Sequence, residues 1–242
     1  MSAAPVVPLL DVSNLGKSYG RVRALEAISF AIHRGEVVGL IGPNGAGKTT
    51  LFECLAGVLS RDSGEIRVNG RTVAIGAPPS DVFYLPDAIA PWPDQTVKWA
   101  MDFVAGFFGA PANRQQDMVR RLDVATLLDR PIGALSKGQR KRALLAIALA
   151  MPQPMLLIDE PFEGLDLRQA RDVSAVLREE ASTGRTLLVS IHQIADAARL
   201  CDRFILLSGG RVKGDGTIDA LAAQVSGTTP VRDLEEVFLA LT

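Results

Sequence analysis

Residues 27–33, AISFAIH, alternate apolar and polar positions, whereas residues 35–42, GEVVGLIG, are almost entirely apolar. Alternation predicts a strand with one wet face. The continuous run predicts a strand covered on both faces, as in a parallel sheet between other layers. DVFYLP (81–86), MLLI (155–158), TLLVSI (186–191) and RFILL (203–207) also read as strands, and EIRVNGRTV (65–73) as a hairpin turning at Asn69-Gly70. Helical spacing marks 51–59, 138–151, 168–182 and 194–200. DLEEVFLAL (233–241) puts Leu234, Val237, Phe238 and Leu241 on one face, predicting a final amphipathic helix that packs onto the body.

Between these stretches the pattern is helical, broken at Pro91, Pro93, Pro111 and Pro131. The reading is an α/β core over 1–86 and 140–224, a helical subdomain inserted at 87–139, and a C-terminal helix at 231–242. Strands and helices in alternation predict a mainly parallel sheet.

Composition changes little. The chain has 242 residues, 48% hydrophobic and 22% charged, with a net charge of −1 that gives no indication of a nucleic-acid partner. Cys54 and Cys201, far apart in apolar contexts, read as reduced core residues of a cytosolic protein. MSAAPVVPLLDV has no basic segment or long apolar run, so no secretory signal is expected. The most apolar stretches, 97–111 and 143–151, are too short or too interrupted by Lys98 and Asp102 to span a bilayer. Any membrane role is therefore expected to run through a partner.

The chemistry begins with GPNGAGKTT, where Gly42, Pro43, Asn44, Gly45, Ala46, Gly47, Lys48, Thr49 and Thr50 follow an apolar strand and open a helix. This matches G-x-x-x-x-G-K-[ST], a loop whose backbone N–H groups cradle phosphates. Lys48 would reach the β- and γ-phosphates, and the Thr49 hydroxyl would hold Mg²⁺. MLLIDE ends a second apolar strand in Asp159, a Mg²⁺-orienting group, and Glu160, a general base for an attacking water. His192 follows the strand TLLVSI and would emerge at the same sheet edge to bind the γ-phosphate; the alternative is a structural histidine. LSKGQRKR (135–142) places a capping serine before Gly138, Gln139 and three basic residues. Positive charge at a helix start opposes the helix dipole, so this stretch either awaits an anion or is a solvated face.

Together these motifs resemble the nucleotide-binding subunit of an ABC transporter along essentially the whole chain. GPNGAGKTT looks like the Walker A loop, MLLIDE like Walker B with its catalytic glutamate, and LSKGQ like the signature. EGLD (163–166) looks like the D-loop and His192 like the switch histidine. The resemblance implies a P-loop NTPase fold with an N-terminal antiparallel β subdomain. It implies Tyr19 stacked on adenine, and a head-to-tail dimer in which Ser136, Lys137, Gly138 and Gln139 of one chain meet the ATP held by the other. Asp166 would stand at that dimer interface. It further implies ATP hydrolysis with Mg²⁺, and a place on the cytoplasmic face of the membrane through a separate permease.

Four positions depart from the family's pattern. Asp87 stands where glutamine is usual; it could favour Mg²⁺ but would repel phosphates, and Gln95 is the weaker substitute. Lys137 replaces a glycine of the signature, and Phe162 and Glu163 replace Thr and Ser of the D-loop. YLPD, LSKGQ and LEEVFLALT resemble the ABC-2 export type. The rival of another class is an ATP-gated dimerisation or assembly module that transports nothing. A small-molecule P-loop kinase leaves LSKGQ and His192 without a task.

Overall fold

The computed structural model describes residues 7–87, 89–225 and 234–241. Strands β1 (Leu10–Tyr19), β2 (Val22–Ile32), β4 (Ser63–Val68) and β5 (Arg71–Thr72) form an antiparallel sheet in the order β2-β1-β4-β5. The second sheet has the order β10-β9-β3-β8-β7-β6. It comprises β3 (Val37–Ile41), β6 (Val82–Leu85), β7 (Met155–Asp159), β8 (Thr186–Ser190), β9 (Arg203–Ser208) and β10 (Arg211–Gly216). Its pairings are parallel except β10 on β9. The predicted α/β fold, with an antiparallel β subdomain and a mainly parallel core, is therefore the fold observed.

The apolar strands do lie between two layers. In β3, Val37 and Ile41 join one buried cluster while Val38 and Leu40 join another. The second cluster fills the space between the two sheets around helix α1 (Lys48–Leu55), with Phe52 fully buried. The first holds α4 (Lys137–Ala150), α5 (Leu167–Ser182) and α6 (Ile194–Leu200) against the other face. The insert contributes α2 (Val97–Phe108), α3 (Ala112–Arg121) and two single 3₁₀ turns. It is tied to the core by Glu180 of α5, 2% exposed, which meets Arg114 and Arg121 of α3 as well as Arg185.

Asn69 and Gly70 both take positive φ, 53° and 73°, as a tight two-residue hairpin requires. Three elements were not predicted: β1, β10 and helix α7 (Ile218–Val225). Asn14, at φ 52°, breaks the alternation of β1, and the pairing register shifts there. RVKGDG of β10 is a polar edge strand. The last helix, α8, is described over Leu234–Leu241, within the predicted 231–242; residues 231–233 and 242 lie outside the described residues. Its Val237 is fully buried, with Phe238 and Leu241 against the same cluster.

Candidate active site

The loop from Gly42 to Thr49 leaves β3 at the carboxyl edge of the parallel sheet and turns into α1. At Gly42 a Cβ would lie 2.3 Å from the Leu207 carbonyl oxygen of β9. At Gly47, φ is 105° and a Cβ would lie 2.6 Å from the Ala24 carbonyl oxygen. Glycine is required at both. Lys48, 8% exposed, folds over the loop and donates to the carbonyls of Gly42 (2.7 Å) and Pro43 (3.3 Å). Burial lowers its pKa, and the charges of Glu160 and Asp159 oppose that shift. Helix α1 has no side-chain cap and no acidic residue in its first turn. Its leading N–H groups thus remain for an anion.

The loop forms one wall of a cleft of about 440 Å³, closed by Asp87, Asp159, Glu160 and His192. Asp159, 4% exposed, accepts from the Thr49 hydroxyl (3.2 Å) and from the Ser190 hydroxyl. A carboxylate touching a threonine hydroxyl at the edge of a phosphate loop is a hard-oxygen donor set, which fits Mg²⁺. Glu160 has φ 51°, a left-handed conformation costly for a residue with a side chain. The turn is held by the Glu160 N–H donating to Ser190 Oγ (3.1 Å) and the His192 N–H donating to Glu160 Oε2 (3.2 Å). Glu160 Oε1 is buried with no hydrogen-bond partner among the described residues, and His192 Nε2 lies 3.5 Å away. Burial, and then the Asp159 charge, push the Glu160 pKa up to about 7. A carboxylate tuned near neutrality at the wall of a phosphate cleft can accept a proton from water.

The ABC transporter family profile matches residues 25–163, more than half of the chain. The chain belongs to this family. Among its relatives, the Nod factor export ATP-binding protein I of Ralstonia nicotianae is 34% identical over 215 residues, 86% of this chain and 67% of that protein. The hemin import ATP-binding protein of Streptomyces coelicolor is 35% identical over 233 residues, 92% of this chain and 82% of that one. A solved ATP-binding subunit of an ABC transporter superposes with a TM-score of 0.87 at 29% identity, covering 96% of this chain and 99% of the other. The protein is an ABC transporter ATP-binding subunit, and the family is one of ATPases.

In this ABC ATPase the remaining predicted positions fall in two places. Asp87 reaches the cleft, whereas Gln95 is exposed in a turn of the insert, its N–H on the Trp92 carbonyl. Tyr19 does not line the cleft. It sits at the end of β1, 49% exposed, with the Lys17 ammonium 5.8 Å over its ring, while its pairing partner Val22 does line the cleft. Ser136, Lys137, Gly138 and Gln139 are also away from their own chain's cleft, at the start of α4. Ser136 accepts from the Gln139 N–H (3.3 Å) and the Gln139 side chain accepts from the Ser136 N–H (3.1 Å). Lys137 pairs with Glu163, and a Cβ on Gly138 would lie 2.7 Å from the Gly164 carbonyl oxygen, so signature and D-loop are packed together. Asp166 caps α5 in the same manner, accepting from the Gln169 N–H at 2.8 Å.

Two of the three residues of the basic run, Lys141 and Arg142, are engaged within the chain. Lys141, 6% exposed, donates to Asp87 Oδ1 (2.8 Å), and Arg142 donates to the carbonyls of Leu122 (3.2 Å) and Asp123 (3.1 Å). Sequence reasoning missed Ser190 and Lys141. A signal for Ser190 existed: it is the polar residue at the end of a buried strand whose partner in register is Asp159.

Proposed function

We propose that this subunit closes head-to-tail on a second copy of itself around two ATP and thereby drives a separate membrane permease of the export type. One observation carries the dimer: the signature residues at the start of α4 line no part of their own chain's phosphate cleft, which supports a ligand supplied by another chain. Within each site the Walker A loop and Lys48 hold the triphosphate, and Tyr19 at the cleft mouth offers its ring to adenine. Thr49, Asp159 and Asp87 would hold Mg²⁺, which would neutralise phosphate charge. Glu160 Oε1 takes a proton from the attacking water, and His192 sits beside it to meet the γ-phosphate. Loss of that phosphate removes the bridge between the chains, and opening follows. Among the described residues no helix is long and apolar enough to cross a membrane, which accords with a separate permease.

Export rests on the YLPD, LSKGQ and LEEVFLALT segments and on the likeness to the Nod factor exporter's subunit. The similar likeness to a hemin importer's subunit is the competing pull. The test is to purify the Glu160→Gln subunit from membranes after co-expression with candidate six-helix permeases. A permease-bound pair of subunits with Mg-ATP is expected. Dimers with no permease bound would favour the assembly-module reading, and strictly monomeric subunits beside a bound permease would overturn the sandwich.

A further inference from the structure

Asp87 and Lys141 are an unusual pair to find beside a triphosphate cleft. Asp87 follows Leu85 by two residues and Glu160 follows Ile158 by two, and Leu85 pairs with Ile158 in parallel register. Both residues therefore leave neighbouring strands at the same edge of the sheet, and both line the cleft. Asp159 adds a third carboxylate, and all three line the cleft that must receive phosphates. Three acids facing an anion is unfavourable unless one is neutralised. Lys141 supplies that neutralisation from behind. Its side chain is 7% exposed against 30% for Asp87, and it reaches Asp87 from α4, outside the residues that line the cleft. The recess on its side is walled by Lys137, Arg140 and Leu144 with Asp87 between the two spaces.

We propose that Lys141 is a positioning residue for nucleotide binding: it holds Asp87 by one oxygen and cancels its charge, so that a carboxylate is tolerated where a neutral glutamine is usual. The proposal rests on the reading that the cleft takes ATP. It also follows from the geometry that Asp87 without Lys141 repels a metal-free triphosphate, and that Lys141 without Asp87 attracts it.

Binding of the fluorescent analogue mant-ATP to the full chain, in chelator and then with Mg²⁺, tests this without turnover. In chelator, Lys141→Met is expected to weaken binding about tenfold, the size expected of one unit charge acting across the cleft at an intermediate effective dielectric. Lys141→Arg should stay near the parent, and Asp87→Asn should bind more tightly than the parent. Adding Asp87→Asn to Lys141→Met should restore affinity, because the charge to be cancelled is gone. Lys141→Gln reads the same quantity if methionine is not accommodated. Mg²⁺ should shrink the difference between Lys141→Met and the parent. A merely structural lysine would leave the double variant as weak as Lys141→Met alone, and that result, or no change in any variant, overturns the role of Lys141 alone. Parent binding unaffected by Lys48→Ala would instead overturn the nucleotide site itself.

Discussion

Two helix starts in this subunit are built on opposite principles. Helix α1 begins on Gly47 with no side-chain cap, and the lysine that follows bonds only to carbonyls of its own loop. Helix α4 begins on a complete capping box, Ser136 with Gln139, and Lys141 and Arg142 after it are engaged by Asp87, Leu122 and Asp123. The first leaves donors vacant for phosphate; the second has satisfied itself. A phosphate-binding helix start is therefore recognised less by its positive charges than by what its own chain fails to supply. The anion that the basic run suggested is met partly by Asp87, inside the same chain.

The sharpest way to break this comparison is to remove the group that the vacant half leaves unpaired. Glu160→Gln should lower the ATPase rate by ~10²–10⁴, the range for a lost general base. In the parent, kcat/KM for ATP should rise as pH passes about 7, where Glu160 loses its proton. The same substitution should stabilise the fold. Between the ordinary carboxylate value of 4.5 and about 7, folded Glu160 keeps a proton that the unfolded chain has released. Stability therefore falls as pH rises through that window, by up to about 3 kcal/mol in total. Thermal melts should place Glu160→Gln above the parent at pH 8 and level with it at pH 4. A flat difference across pH would show that Glu160 is not held out of water.

A smaller effect tests whether signature and D-loop act as one surface. Gly138→Ala places a methyl 2.7 Å from the Gly164 carbonyl oxygen, so the two segments must part. The expected cost is about 1–3 kcal/mol of stability. Mant-ATP binding to the isolated chain should be unchanged, because Gly138 lines no part of the cleft. ATP-dependent dimerisation should suffer. A loss of monomer binding would mean that the two halves are coupled within one chain.

Why the vacant half was legible and the satisfied half less so has a physical reason. Phosphate chemistry needs backbone shape, and shape leaves glycines at fixed spacing after a doubly covered strand; Gly42, Gly47, Lys48 and the acids after β7 were readable for that reason. The partners of charged side chains depend on which elements the fold brings together. Asp87 and Lys141 stand far apart in sequence, and nothing local says that they meet. Ser190 holds Asp159 and Glu160 from a neighbouring strand for the same reason. Among the missed elements, β1 was hidden by its irregular register and β10 by its polar composition. Helical periodicity did place the C-terminal helix, whose Val237 is buried.

The smallest predicted effect separates capping from ligand binding. Ser136→Ala and Asp166→Ala each remove the acceptor for one N–H at the start of a long helix, and each should cost about 1 kcal/mol. As caps the two are equivalent, and thermal melts of the isolated chains should barely distinguish them. If Ser136 also touches the partner's nucleotide, the equivalence ends once the Glu160→Gln dimer forms: the serine variant should need more Mg-ATP to dimerise than its loss of stability accounts for. Threonine keeps the hydroxyl and the cap, so Ser136→Thr should recover most of the melt. Light scattering at a series of Mg-ATP concentrations measures the difference. Equal midpoints for Ser136→Ala and the parent would leave this serine a cap and nothing more, and would move the partner's phosphate contact onto the backbone of α4.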